Sequence, residues 1–252
     1  MKTVLITGCS SGFGLETARL FVARDWRVVA TMRTPRHDLL PASDRLRVLA
    51  LDVTDAASIR DAVAAAGPID VLVNNAGFGV ASPAELTPLA TVRQLFETNT
   101  FGTIALTQAV LPQMRGRGAG VVVNVTSSVT LKVLPLLAAY RASKVAVNAF
   151  TESMAAELEG TGVRACLVLP GRSPETRFGD NARPHMQGLD HPAYEALVKK
   201  VFAQIQDTST PVTHASDVAE AVWRAATDAS TPRRLPAGAD AVAWAAEAAH
   251  VA

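Results

Sequence analysis

Thr7-Gly8-Cys9-Ser10-Ser11-Gly12-Phe13-Gly14 decides how this chain folds. The stretch lies between a short apolar run, Val4-Leu5-Ile6, and a helix-period segment over residues 14–24. Strand, glycine turn and helix in that order make one unit of a parallel α/β sheet. Gly8 permits a tight turn, Gly12 lets the backbone approach a pyrophosphate, and Gly14 lets helix and strand pack closely. The free N–H groups at the helix start then face the anion. A bare glycine triplet also occurs in ordinary turns. Its place after the first strand and before the first helix makes it a dinucleotide-binding turn. No Gly-Lys-Ser/Thr follows, so it is not the phosphate loop of an ATPase.

Outward from this turn, strand-length apolar runs alternate with longer helical patterns. Val28-Val29-Ala30, residues 46–51, Val71-Leu72-Val73, residues 121–125 and residues 165–169 are short, continuous and rich in Val and Leu. Such runs belong to strands covered on both faces. Between them, residues 14–24, 56–66, 89–115 and 138–160 read as helices. In the last, Ala146, Phe150, Met154 and Leu158 recur every four residues and form one apolar face. The alternation predicts a doubly wound, Rossmann-like α/β sheet in a single domain over residues 1–252. Residues 171–192 are the longest break, with three prolines, three glycines and two histidines. A loop that long is usually functional, often a lid. Beyond it, residues 195–206 and 216–227 read as helices, the second with Ser216-Asp217 as cap chemistry. Residues 237–252, nine of them alanine, read as a terminal helix.

Composition excludes several roles. Lys+Arg 24 against Asp+Glu 23 gives a net charge of +1, without the basic excess of a nucleic-acid binder. With 49% hydrophobic and 19% charged residues, the chain reads as globular. No stretch holds 18 uncharged apolar residues, so no membrane span is expected. The start, from Met1 to Gly8, lacks the apolar run and cleavage site of a secretion signal. Cys9 and Cys166 lie far apart and match no metal spacing, which points to a reducing cytoplasm. The five histidines, His37, His185, His191, His214 and His250, show no metal-ligand spacing either. They read as surface or loop residues, with His185 and His191 placed to touch a substrate.

Tyr140 and Lys144 lie four apart on a predicted helix and share a face. A free tyrosine, with a pKa of about 10, is a poor acid–base catalyst at neutral pH. A cation about 4 Å away contributes up to ~4 kcal/mol at an effective dielectric near 20, less after screening. Lys144 could therefore tune Tyr140 as a general acid and base. Ser127 lies 13 residues earlier, after the run 121–125, where open α/β sheets bind ligands. Thr126 and Ser128 flank it, and the residues alone do not choose among three hydroxyls. Asn99 sits inside a predicted helix, where asparagine is a mediocre former. Ser127 lies in Asn-Val-Thr-Ser-Ser rather than a Gly-x-Ser-x-Gly elbow, so a serine hydrolase is excluded.

The order Thr-Gly-x-x-x-Gly-x-Gly, Asn74-Asn75-Ala76-Gly77, Asn99, Ser127, Tyr140-Arg141-Ala142-Ser143-Lys144 and Pro170-Gly171 resembles the compact branch of the short-chain dehydrogenase/reductase family. The likeness spans residues 1 to about 171. It implies a catalytic set of Asn99, Ser127, Tyr140 and Lys144. In that set Ser127 holds the substrate oxygen, Tyr140 exchanges its proton, and Lys144 lowers the tyrosine pKa and holds the nicotinamide ribose. Asn99 kinks its helix and holds a relay water. The likeness further implies a cofactor site of Gly8, Ser10, Ser11, Gly12, Phe13, Gly14, Arg33, Asp52, Val53, Asn75, Ala76, Gly77, Tyr140, Lys144, Pro170, Gly171 and Thr176. A cofactor half over residues 1–126, a catalytic and substrate part over 127–252, and a homodimer or homotetramer follow from the same resemblance.

The second strand ends Thr31-Met32-Arg33, without the acid that would bind a ribose 2′-hydroxyl. Arginine suits a phosphate and cannot accept from a hydroxyl. NADP(H) is therefore favoured, with NAD(H) possible. Asp52 is placed to accept from the adenine amino group, or else caps the helix after it. Thr176 comes one residue later than the family pattern after Pro170-Gly171, and Arg233-Arg234-Leu235-Pro236-Ala237-Gly238 replaces a Thr-Gly-rich end. Residues 78–82, 129–137 and the loop after Gly171 are expected to line an apolar substrate pocket. The reading is a carbonyl reductase or alcohol dehydrogenase acting on a hydrophobic ketone or its alcohol. The alternatives are an NAD-dependent alcohol dehydrogenase of the same family, a redox-sensing regulator without turnover, and a nucleotide-sugar epimerase or dehydratase.

Overall fold

The computed structural model describes residues 1–207 and 209–249. Seven parallel strands form one sheet in the order β3-β2-β1-β4-β5-β6-β7. They are β1 (Thr3–Ile6), β2 (Arg27–Met32), β3 (Leu46–Ala50), β4 (Val71–Asn74), β5 (Gly120–Val125), β6 (Val163–Pro170) and β7 (Arg234–Ala237). The order reverses on either side of β1 and β4. In such sheets ligands bind there, at the carboxyl ends of the strands.

Alternation along each strand divides the core in two. Val4, Ile6, Val28, Ala30, Val71 and Val73 face one layer, with helix α1 (Gly12–Ala23) and helix α8 (Ala215–Thr227). Leu5, Val29, Leu72 and Val122 face the other, with α2 (Ala56–Ala66), α4 (Gly102–Arg117) and α5 (Ala138–Glu157). Both faces are apolar because both are covered. Leu72 is fully buried, and truncation to alanine there costs about 2–5 kcal/mol. Phe21 of α1 and Trp223 of α8 meet edge to face, centroids 5.0 Å apart, joining the two helices.

Several elements differ from the sequence reading. The single helix expected over 89–115 is α3 (Leu89–Phe96), a π-helical turn (Glu97–Phe101) and then α4. Asp55, not Asp52, caps α2, its carboxylate accepting from Ala57 N at 2.7 Å. His214 rather than Ser216-Asp217 caps α8, with the Asp217 carboxylate accepting from His214 N at 2.9 Å. Residues Arg234–Ala237 do form a strand, parallel to β6, with Pro236 opposite Leu169. Proline, lacking an N–H, fits an edge strand. The long break contains a short helix α6 (Phe178–Ala182) and leads into α7 (Glu195–Gln206). The terminal helix is α9 (Ala239–Ala249); His250 and the rest of the expected helix lie outside the described residues. Among the described residues no helix is long and apolar enough to cross a membrane.

A buried polar chain fixes the carboxyl end of the sheet. Asn74 Nδ2 donates to Asn124 Oδ1 (2.9 Å) on the neighbouring strand and lies 3.0 Å from Thr107 Oγ1 of α4. Asn124 Nδ2 donates to Thr151 Oγ1 of α5 at 2.8 Å. Strands and flanking helices are thus locked together directly beneath the site.

Candidate active site

The glycine turn opens onto a cleft of about 1100 Å³ along the carboxyl edge of the sheet. Gly8 has φ +73°, in the region that favours glycine. A Cβ on Gly14 would lie 2.4 Å from Gly8 O and 2.5 Å from Asn75 Nδ2. Thr7 and Asn75 hold the turn: Thr7 Oγ1 accepts from Asn75 N and Ala76 N, both at 2.9 Å, and Asn75 Nδ2 donates to Thr7 O at 2.9 Å. Ser11 sits at the N-cap of α1, where its side chain makes no capping bond, and Ser10, Ser11, Gly12 and Phe13 line the cleft. The first N–H groups of a 12-residue helix therefore face it.

Arg33, Asp52 and Val53 line the far end. Arg33 is exposed and, among the described residues, makes no hydrogen bond or ion pair, whereas Arg36 is paired with Asp38 at 2.6 Å. The N–H of Thr54 at 2.9 Å and its hydroxyl at 2.7 Å hold the Asp52 carboxyl below the usual carboxylate range, with a smaller pull from Arg33.

Tyr140, Lys144, Ala76 and Gly77 line the other half. Burial pushes the Tyr140 phenol up to about 12, against a hydrogen bond with Ser127 that lowers it. Burial pushes Lys144 down to about 8. The expected lowering of the tyrosine by the lysine is not seen; desolvation sets the direction. Lys144 Nζ donates to Val125 O at 3.1 Å, its one protein acceptor among the described residues. An ammonium has three donors, so two remain to be satisfied from the cleft.

Asn99 lies in the π-helical turn, 1% exposed, and does not line the cleft. Its Oδ1 accepts from Phe78 N at 3.0 Å, and its Nδ2 donates to Phe78 O at 2.9 Å and Ser143 Oγ at 3.0 Å. The side chain clamps the backbone of Phe78, which does line the cleft. Of the three adjacent hydroxyls, Ser127 is the one that pulls the Tyr140 phenol down, although it does not line the cleft, while Thr126 does line it.

Pro170 and Gly171 stand apart from the cleft wall. A Cβ on Gly171 would meet the Asp240 carboxylate at 2.1 Å, and Gly171 N donates to Thr213 Oγ1 at 3.0 Å. Thr176 does line the cleft, against Gly12, although its hydroxyl is spent on Ser173 O at 2.9 Å. The loop carries residues the sequence reading passed over: Arg177, Phe178 and Asn181 all line the cleft. The Phe178 ring lies 5.6 Å from that of Tyr140 and against Gly79. Of the two loop histidines, His185 lines the cleft, 4.8 Å from the Phe78 ring, whereas His191 caps the turn at Pro192–Tyr194. Around Tyr140 an apolar cluster gathers Val80, Val129, Phe78, Leu134 and Leu137, from two of the segments expected to line a pocket, with Leu95 of α3. Among the described residues no group of three or more His, Cys, Asp or Glu is placed to hold a metal ion. Cys9 is buried beside the turn, and burial pushes its thiol up to about 12.

The residues fit a dinucleotide. A backbone cradle that side chains would fill, a helix start without a cap, an unpaired arginine and a buried ammonium short of acceptors are spread along one cleft. Comparison with known proteins agrees. The family model for short chain dehydrogenase matches residues 2–187. The chain is 37% identical over 239 residues to the uncharacterized oxidoreductase YusZ of Bacillus subtilis, covering 90% of this chain and 85% of that protein. It is 37% identical over 184 residues to the 3-ketodihydrosphingosine reductase of Bacteroides thetaiotaomicron, covering 71% of this chain and 66% of that protein. A short chain dehydrogenase from Burkholderia cenocepacia J2315, solved in complex with NADP, superposes with a TM-score of 0.78 at 25% identity, covering 99% of this chain and 94% of that one.

Proposed function

The chain belongs to the short-chain dehydrogenase family, oxidoreductases acting on CH–OH and C=O groups with a nicotinamide dinucleotide, and on that footing we propose that it reduces a hydrophobic ketone with NADPH. One observation carries the reading: Tyr140 and Lys144 share a cleft with the glycine turn, and Ser127, just outside the cleft lining, acts on the Tyr140 phenol. Residues 1–126 supply most of the cofactor wall and residues 127–252 the reacting groups.

When bound, the reduced cofactor supplies a hydride to the carbonyl carbon. Tyr140 then gives its phenolic proton to the carbonyl oxygen, and burial keeps that proton in place at neutral pH. Ser127 acts on the same phenol and holds the substrate oxygen, opposing the charge that develops there. Lys144 holds ribose hydroxyls with the two donors that Val125 leaves over. Asn99 acts at one remove, by fixing Phe78 and Ser143. Arg33 takes the 2′-phosphate, since the end of β2 offers no carboxylate to a 2′-hydroxyl. The apolar cluster around Tyr140 and the ketone named in the Bacteroides relative both support an apolar carbonyl substrate. Exposed Phe101 of the π-helical turn and Val145 of α5 support self-association into a homodimer or homotetramer. Two free, buried cysteines support a cytoplasmic setting.

Loss of NADPH absorbance at 340 nm over a panel of aliphatic and aryl ketones tests the reading. Turnover that needs Tyr140 supports it. Turnover of alcohols with NAD alone would favour the NAD-dependent alternative. Cofactor binding with no turnover of any ketone or alcohol would favour a sensor.

A further inference from the structure

Four buried side-chain polar atoms among the described residues have no hydrogen-bond partner: Arg45 Nε, Thr126 Oγ1, Asn148 Oδ1 and Ser173 Oγ. Thr126 is the one of these residues that lines the cleft. It is 4% exposed. A buried hydroxyl without a partner is costly and calls for an explanation, and in a ligand cleft a bound ligand supplies one.

The surroundings narrow what that ligand is. Thr126 follows β5 directly, and its N–H donates to Val168 O at 2.8 Å. The carbonyl before it, that of Val125, accepts from Lys144. The neighbouring hydroxyl, Ser127 Oγ, accepts from Val129 N at 3.3 Å and acts on the Tyr140 phenol. Every polar group around Thr126 Oγ1 named here thus has a protein partner, and the hydroxyl lacks one. Lys144, beside it, is the other group in this half of the cleft with unused donors.

We propose that Thr126 Oγ1 is a cofactor-positioning contact that hydrogen-bonds the nicotinamide half of the dinucleotide, beside Lys144. This rests on the dinucleotide reading above. It predicts a separation seldom seen in one substitution. Removing the hydroxyl leaves the protein as stable or stabilises it, and weakens the cofactor.

The test is Thr126→Val, close to isosteric, with Thr126→Ser as rescue. Binding is followed by fluorescence titration with NADPH and with 2′-phospho-ADP-ribose, which lacks the nicotinamide. The expected result is a melting temperature at or above wild type and a fivefold to tenfold weaker Kd for NADPH. Binding of 2′-phospho-ADP-ribose stays unchanged, and Thr126→Ser restores the wild-type Kd. An NADPH Kd within twofold of wild type overturns the proposal while leaving the dinucleotide site standing. So does equal weakening toward both ligands, which would place the effect elsewhere. A melting temperature lowered by more than about 5 °C also overturns it, because the hydroxyl would then have a partner within the protein. Should Thr126→Val not fold, Thr126→Ala is read by the same criteria. Failure of the wild type to bind NADPH or NADH would bring down the dinucleotide reading and this contact with it.

Discussion

Lys144 Nζ donates to Val125 O at 3.1 Å, which ties helix α5 to the end of β5 and seats an ammonium inside the protein. Burial lowers that ammonium to about 8 from an ordinary 10.5. Between these values the unfolded chain binds the proton more tightly than the folded one, so stability rises with pH over that window. Below pH 8 both states are charged and the cost is fully present. Lys144→Met is therefore expected to melt higher than wild type at pH 7 and to lose the rise between pH 8 and 10, while losing turnover. Urea midpoints at pH 7, 8, 9 and 10 decide it; parallel curves for the two proteins would refute the assignment.

Arg33→Ala is expected to weaken NADPH binding at least tenfold and leave NADH within twofold. Among the described residues the exposed Arg33 side chain makes no hydrogen bond or ion pair, only a weak pull on Asp52, so its removal spares the fold. Fluorescence titration measures both constants. Equal affinity for the two cofactors in wild type would end the 2′-phosphate reading.

Tyr140→Phe keeps the ring against Phe178 and removes the proton. Its kcat is expected to fall by about 10²–10⁴, the usual worth of general acid catalysis, with NADPH affinity little changed. A variant with more than a tenth of wild-type kcat would show that another group supplies the proton.

Phe178→Ala opens the wall beside Tyr140 and frees the space over Gly79. Bulky aryl ketones are expected to gain in kcat/KM relative to small aliphatic ones by about tenfold, within the range that apolar pocket contacts supply. An unchanged ratio would place the substrate away from this ring.

Glu175 anchors the loop that carries Phe178. Its carboxylate accepts from Ala215 N at 2.7 Å at the start of α8 and meets His214 Nδ1 at 3.2 Å. Ala215 N–H and then His214 hold Glu175 below the usual carboxylate range, and Glu175 holds His214 above the usual histidine value. The Glu175 contribution is present above its ordinary 4.5 and fades as pH falls. The His214 contribution is present below its ordinary 6.5 and fades as pH rises. Anchoring is thus fullest between the two, and modest, since both groups are exposed. Trypsin should cut after Arg177 faster in Glu175→Gln than in wild type, by a ratio larger at pH 6.5 than at pH 8.5. An equal ratio at both pH values would remove His214 from the anchor.

The sheet was legible because Val4-Leu5-Ile6 and its counterparts are apolar on both faces, a pattern that only covered strands sustain. The glycine turn was legible for a similar reason: Gly8 and Gly14 fill places no other residue fits. What escaped depends on long-range meetings. Asn74, Thr107, Asn124 and Thr151 read singly as ordinary polar residues, and only the fold brings them into one chain of hydrogen bonds. Phe178 sits in a polar stretch without periodicity, so nothing local announces that its ring will lie over Tyr140. Pro170-Gly171 matched a pattern, yet Gly171 is needed for the approach of Asp240, from 69 residues away. The lowering of the tyrosine expected from a nearby lysine does not appear because burial, which sequence does not reveal, dominates both groups.

The π-helical turn at Glu97–Phe101 has a mechanical meaning. An α-helix advances about 100° of rotation per residue, so one residue wound in beyond the usual count puts α3 and α4 out of phase by about that angle. α3 turns Thr91 and Leu95 inward on its own setting, and α4 turns Thr103, Thr107 and Met114 inward on another. Excising one residue from the turn would give a smoother screw and a misaligned one: whichever half kept its seat, the other would swing its inward face aside. The loosest-wound turn of this long helix is what lets a single rod serve two separately oriented bearings, the clamp on Phe78 at one end and the sheet at the other.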